Sequence, residues 1–148
     1  MKTLSLRGEA FIKGFEELRL TAYRKFPGEP WTCGYGHTGR DVTNGTTCDA
    51  AQAATWFKCD VAAPERAVNL MVAVPLTQNQ FDALVSFAFN VGIAAEAHST
   101  MLRKVNALDY EGAAAEFVKW DHVNGVEVPG LKRRREAERD LFNTPEAA

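Results

Sequence analysis

Residues Phe15 to Thr38 read FEELRLTAYRKFPGEPWTCGYGHT, and this stretch decides the fold. It begins on a helical pattern and passes into a short β-prone run, Leu20 to Tyr23. Pro27-Gly28 marks a turn, because proline presets the first turn dihedral and glycine accepts positive φ at the second. A second β-prone run follows, Trp31 to Tyr35. Glu16 and Glu17 therefore sit where a helix gives way to a hairpin, with Thr32 on the returning strand, placed to face them. A half-buried carboxyl at such a junction holds its proton more tightly than an exposed one, which suits a general acid. The plainer reading of the same residues is a surface Glu pair at a helix end.

The rest of the chain bounds what this stretch belongs to. At 148 residues and 46% apolar, one domain with a real core is expected. Charged residues make up 24%, which excludes a disordered chain. No apolar run approaches the roughly 20 residues that span a bilayer. The N-terminal MKTLSLRGEAF lacks the apolar core of a signal peptide, so synthesis and folding in a cytosol are expected, without membrane insertion. Cys33, Cys48 and Cys59 have no metal-ligand spacing and read as free, mostly buried thiols, with no disulfide needed for folding. A net charge of −2 gives no global pull towards polyanions.

Taken in order, Ser5 is the expected N-cap of a helix that carries Phe11, Ile12, Phe15 and Leu18 and runs to about Glu17. The glycines of Gly34-Tyr35-Gly36-His37 read as positions needing positive φ or close backbone approach, not as a phosphate loop, which needs a lysine and a helix directly after. His37 is expected to anchor structure by hydrogen bonds; it shares no metal spacing with His98 or His122. Asp49 with Gln52 starts a helix carrying Ala53, Trp56 and Phe57 and continuing to Met71, with Pro64 able to begin a new helix within it. Thr77 and Gln80 repeat the capping signal ahead of Phe81, Leu84, Val85, Ala88 and Phe89, a buried helix ending near Gly92. Shorter helices are expected over Ser99–Val105 and from Asp109 to Trp120, and a last one from about Leu131 to Phe142. Its KRRRE run pairs Lys132 with Glu136 and Arg134 with Glu138 at helical spacing, so it reads as a self-neutralised solvated face and argues against nucleic-acid binding. Helices dominate and one small sheet lies near the front: the class is α+β, predominantly helical.

Five blocks in this order, IKGFEELRLTAYR, WTCGYGHTG, VPLTQNQFDALVSFAFNVG, STMLRKVNALDYEGAAAEFVKW and VPGLKRRREAERDLF, cover nearly the whole chain. Together they resemble the phage-type lysozymes, or endolysins, of glycoside hydrolase family 24. The resemblance implies a single two-lobed lysozyme-like domain. A small β-containing lobe would span about 18–60, a connecting helix about 61–72, and a helical lobe 73–148 together with helix 5–17. It implies hydrolysis of the β-1,4 bond between N-acetylmuramic acid and N-acetylglucosamine in peptidoglycan, with inversion and without a metal or cofactor. The implied protein is a monomer, made in the host bacterial cytoplasm and acting on the periplasmic wall once the membrane is permeabilised.

The family's site is a Glu, an Asp or Cys nine residues on, and a Thr six beyond that. Glu16 matches the first, Lys25 stands at the second, and Thr32 matches the third one residue late. Thr38, Phe89, Asn90 and Thr100 match positions near the sugar cleft. Glu17 replaces the glycine that normally follows the catalytic Glu, and Glu96 replaces an aromatic or apolar residue. An oxocarbenium-like transition state wants a proton donor on one face and a base or negative charge on the other. A Lys25 ammonium has no lone pair and repels the developing positive charge. Glu29, in the lengthened loop before Thr32, is the other carboxylate within reach of the role. Two readings follow: a muramidase with Glu16 as its acid, or a lysozyme-fold protein that binds glycan or a protein partner without cleaving.

Overall fold

Ser5 opens the first helix: its Oγ accepts from Gly8 N–H at 3.0 Å while Asp82 accepts from both Ser5 N–H and Ser5 Oγ. The computed structural model describes residues 1–146, and this helix, α1, spans Leu6–Glu16. Gly8 is required there, since a Cβ would overlap the Asp82 carboxylate at 2.5 Å. Two antiparallel strands follow, β1 (Arg19–Tyr23) and β2 (Thr32–Gly34). Arg19 lies opposite Gly34 and Tyr23 opposite Thr32, so β1 spends more residues than β2 on the same stretch and a bulge lies between. The Pro27-Gly28 turn forms as expected, with Gly28 at φ +91 and Glu29 N–H donating to Phe26 carbonyl at 3.2 Å. Residues 46–48 add an edge that the sequence reading lacks: Ala22 N–H donates to Thr46 carbonyl and Cys48 N–H to Leu20 carbonyl.

Helix α2 is one element, Ala50–Met71, with Asp49 Oδ1 accepting from Gln52 N–H at 2.7 Å at its start. Pro64 lies inside it, where it has no N–H to give to the preceding turn, and no new helix begins there. Beyond come α3 (Gln78–Val91), α4 (Ile93–Ala97), α5 (Thr100–Asn106) and α6 (Tyr110–Glu116), the last running into a 3₁₀ turn, Phe117–Lys119. The Thr77–Gln80 capping box is complete, and Gly92 ends α3 at φ +101. A second hairpin then appears, β3 (His122–Val123) and β4 (Val126–Glu127), turning on Asn124 and Gly125 at φ +52 and +79. The last helix, α7 (Pro129–Phe142), starts two residues before the expected Leu131, because proline is suited to a first helical turn.

The chain divides into two compact units, Glu9–Ala63 and Met1–Gly8 with the chain from Pro64 on. In the first, Ile12, Cys33, Val42, Ala53, Phe57 and Val61 are buried. Lys13 Nζ sits over the rings of Tyr35 and Phe57, which meet edge to face. In the second, α3 is buried from Phe81 to Ala88, and Phe87 packs on both Phe117 and Trp120. The KRRRE segment is a solvated face only in part, with Lys132 and Arg133 exposed. Arg134 and Arg135 are buried with Glu138, whose Oε2 accepts from Ser86 Oγ at 2.5 Å and whose Oε1 lies 2.7 Å from Arg135 Nε. Lys132 pairs with Glu127 across the end of the hairpin. Helical spacing brings Arg134 and Glu138 together as expected, but on the inward side.

Candidate active site

Glu16 is the last residue of α1 and is half-buried. The chain then bends through Glu17 at φ +33, a left-handed conformation that glycine adopts without strain and a glutamate does not. Across from this bend, Gly34 to His37 make a tight turn in which Cys33 N–H donates to His37 carbonyl and His37 N–H to Cys33 carbonyl, both at 2.9 Å. Gly36 sits in that turn at φ +80, and a Cβ on it would lie 2.8 Å from Glu16 Oε2. Glycine is thus required there twice, by its backbone conformation and by the carboxylate seated against it. Gly34, at φ +71, lets the turn approach α2, where Ala53 and Trp56 would stand 3.3 Å from its Cβ.

The turn is held from below by His37. Its Nδ1 is 2.8 Å from Asp60 on α2, its Nε2 is 3.0 Å from Asp41 Oδ2, and its ring stacks on Trp56 at 4.4 Å. Burial, the largest single influence, lowers its pKa, but hydrogen bonds and charge from Asp60 and Asp41 together outweigh it, so the imidazolium is favoured. The His37 contact in turn holds Asp41 below its usual carboxylate range. His37 is therefore an anchor. Asp60 and Asp41 were absent from the sequence reading; helical spacing put Asp60 on α2 but gave no sign that it faced the turn.

Thr32 opens β2 and is half-buried, opposite Tyr23. Lys25 and Glu29 are both exposed in the loop between the strands, and Thr38 is exposed directly after His37. All of these belong to the same unit as Glu16. Phe89, Asn90 and Thr100 belong to the other. Asn90 lies in the last turn of α3, its Oδ1 accepting from Arg135 Nη2 at 2.9 Å, and Thr100 opens α5, its Oγ1 accepting from Arg103 Nη2 at 2.9 Å. Among the described residues no cluster of three or more His, Cys, Asp or Glu is disposed to hold a metal ion.

This mostly helical chain, with its small antiparallel strand pairs, is matched in known proteins. Residues 13–138 fit the profile of the phage lysozymes. The chain belongs to the phage lysozyme family. The endolysin of Acyrthosiphon pisum secondary endosymbiont phage 1 is 44% identical over 95% of this chain and 98% of its own length. The endolysin of Salmonella phage P22 is 40% identical over 96% of this chain and 99% of its own. Among solved structures, the muramidase domain of SpmX from Asticaccaulis excentricus superposes with a TM-score of 0.91 and 41% identity, covering 98% of this chain and 100% of that one. The family hydrolyses peptidoglycan, and the chain is a glycoside hydrolase of its endolysin type, with the α+β lysozyme fold.

Proposed function

We propose that Glu16 is the general acid of this muramidase, protonating the glycosidic oxygen as the bond between N-acetylmuramic acid and N-acetylglucosamine breaks. The observation that carries this is the seat of its carboxylate: half-buried, at the end of α1, against the backbone of Gly36. A rigid seat fixes the donor's position before substrate arrives, which is where acid catalysis gains most. Thr32 helps hold the attacking water, in an inverting reaction. Thr38, Phe89, Asn90 and Thr100 contact the glycan. The enzyme works as a monomer on peptidoglycan strands and binds no nucleic acid. It is made in the host bacterial cytoplasm and reaches the periplasmic wall after the membrane is permeabilised. No helix among the described residues is long and apolar enough to cross a membrane.

Lys25 occupies the place of the second catalytic carboxylate and keeps the reaction slow. Its side chain is exposed in the loop, and an ammonium carries no lone pair with which to serve as a base. Zymography on purified peptidoglycan tests this. Lys25→Asp raises activity, near the lower end of the roughly 10²–10⁴-fold span of acid–base contributions, because the longer loop disturbs the spacing. If Glu29 has taken the role instead, wild type is active, Glu29→Gln silences it and Lys25→Asp changes little. Full activity indifferent to both substitutions overturns the assignment of the second position. A chain that binds peptidoglycan without cleaving it, in wild type and Lys25→Asp alike, is the binding protein and not the enzyme.

A further inference from the structure

Two sulfurs meet beside the start of the hairpin. Cys33 Sγ lies 3.4 Å from Cys48 Sγ, and both rest on the carbonyl of Arg19, at 3.6 and 3.7 Å. The cysteines reach this point from opposite edges of β1: Cys33 is the middle residue of β2, and Cys48 donates its N–H to Leu20 carbonyl at 2.9 Å. Cys33 is fully buried, Cys48 is half-buried, and Cys59 stands apart and exposed on α2. The expectation of three mostly buried thiols therefore holds for Cys33 alone. Bonded sulfurs sit about 2.0 Å apart, and these two already stand in non-bonded contact.

We propose that Cys33 and Cys48 are a disulfide site, closed by exchange with a disulfide-type oxidant outside the reducing cytosol, and that the bond staples the turn that seats Glu16. The loop it closes, residues 33–48, begins next to Thr32 and contains Gly36, His37 and Asp41. The choice of compartment rests on the muramidase reading, since the wall lies outside the cytosol; the chemistry does not. Cys48 is the sulfur an oxidant reaches first. Its thiolate attacks one sulfur of the oxidant's disulfide and expels the other as a thiolate, leaving a mixed disulfide on Cys48. Cys33, deprotonated, then attacks Cys48 Sγ and expels the oxidant's remaining sulfur. Two electrons and two protons pass to the oxidant, which leaves as the dithiol. Burial first, and then the contact with Cys33, pushes the Cys48 thiol up to about 11. The pair is accordingly slow to oxidise at neutral pH, and closure speeds up in mildly alkaline solution.

The test uses the full chain, purified with its thiols reduced and then incubated with oxidised glutathione. The expected result is loss of two of the three thiols and a peptide map joining Cys33 to Cys48. The thermal midpoint should rise by roughly 5–10 °C, as expected for closing a short loop, and dithiothreitol should reverse the change. Cys59→Ser still forms the bond and shows the rise; Cys48→Ser shows neither. Glutathione on Cys59 with Cys33 and Cys48 still reduced overturns the proposal. So does a Cys33–Cys48 bond that lowers the midpoint. None of these readouts involves cleavage of peptidoglycan, so failure here and failure of the muramidase assignment are distinguishable.

Discussion

Glu16 and Glu96 carry the same functional group, and the two units treat it in opposite ways. Glu16 is half-buried at a helix end, with its oxygen Oε2 close against Gly36. Glu96, on α4, is 1% exposed, and neither of its oxygens has a hydrogen-bond partner among the described residues. Burial, and after it the charge of Glu138, pushes Glu96 up to about 8. Where the resemblance leads one to expect an apolar side chain, the protein carries a carboxyl in its neutral form. The first environment leaves the carboxyl half open; the second closes it off. Local geometry, not residue type, separates an accessible carboxyl from a buried one.

The contrast breaks most visibly at Gly36. Gly36→Ala puts a methyl 2.8 Å from Glu16 Oε2 in a left-handed backbone position. Displacement of the acid by about 1 Å is expected to cost on the order of 10²-fold in activity, with a stability loss of about 1–3 kcal/mol. Normal activity in a folded Gly36→Ala would mean that the seat does not position the acid.

Glu96 gives the next largest effect, this time on stability. Its folded pKa of about 8 lies above the ordinary 4.5, so the folded state holds the extra proton between those values. Stability is fully present below about pH 4.5 and is lost as pH rises to about 8, by an amount on the order of a few kcal/mol. His37, with its pKa also raised, contributes with the same sign, so the informative quantity is the difference between wild type and Glu96→Gln. Urea melts across this range should show a steep fall for wild type and a shallower one for the variant. Parallel curves would show that Glu96 is ionised in the folded protein.

The smallest effect sharpens the Glu16 side. Glu17 at φ +33 sits where glycine is preferred, so Glu17→Gly should raise stability by about 1 kcal/mol in thermal melts, with Glu16 undisturbed. A loss of stability would mean that the exposed Glu17–Arg19 pair at 3.5 Å outweighs the strain.

Much of this fold was legible from pattern. The capping residues Ser5, Asp49, Thr77 and Asp109 all accept the expected backbone N–H, because capping is a local interaction that spacing alone specifies. The second hairpin escaped notice because its strands are two residues each, too short for any alternation to register. Helix α4, five residues long, escaped for the same reason. Spacing also identified the Arg134–Glu138 pair but not its direction, since helical periodicity fixes which side chains meet and not whether water reaches them. At the site, the two-glycine turn was readable as a demand for positive φ. That its second glycine receives Glu16 depends on a bend at Glu17 and on His37 being tied to α2, contacts distant in sequence.

We propose that the carboxyl seated at Gly36 is the acid that cleaves the wall. Release of reducing sugar from purified peptidoglycan, measured for wild type, Lys25→Asp and each of these carrying Glu16→Gln, tests it most directly. The account predicts that Glu16→Gln removes the activity of both backgrounds by about 10²-fold or more while the thermal midpoint holds. Retention of activity by either folded Glu16→Gln variant would contradict it.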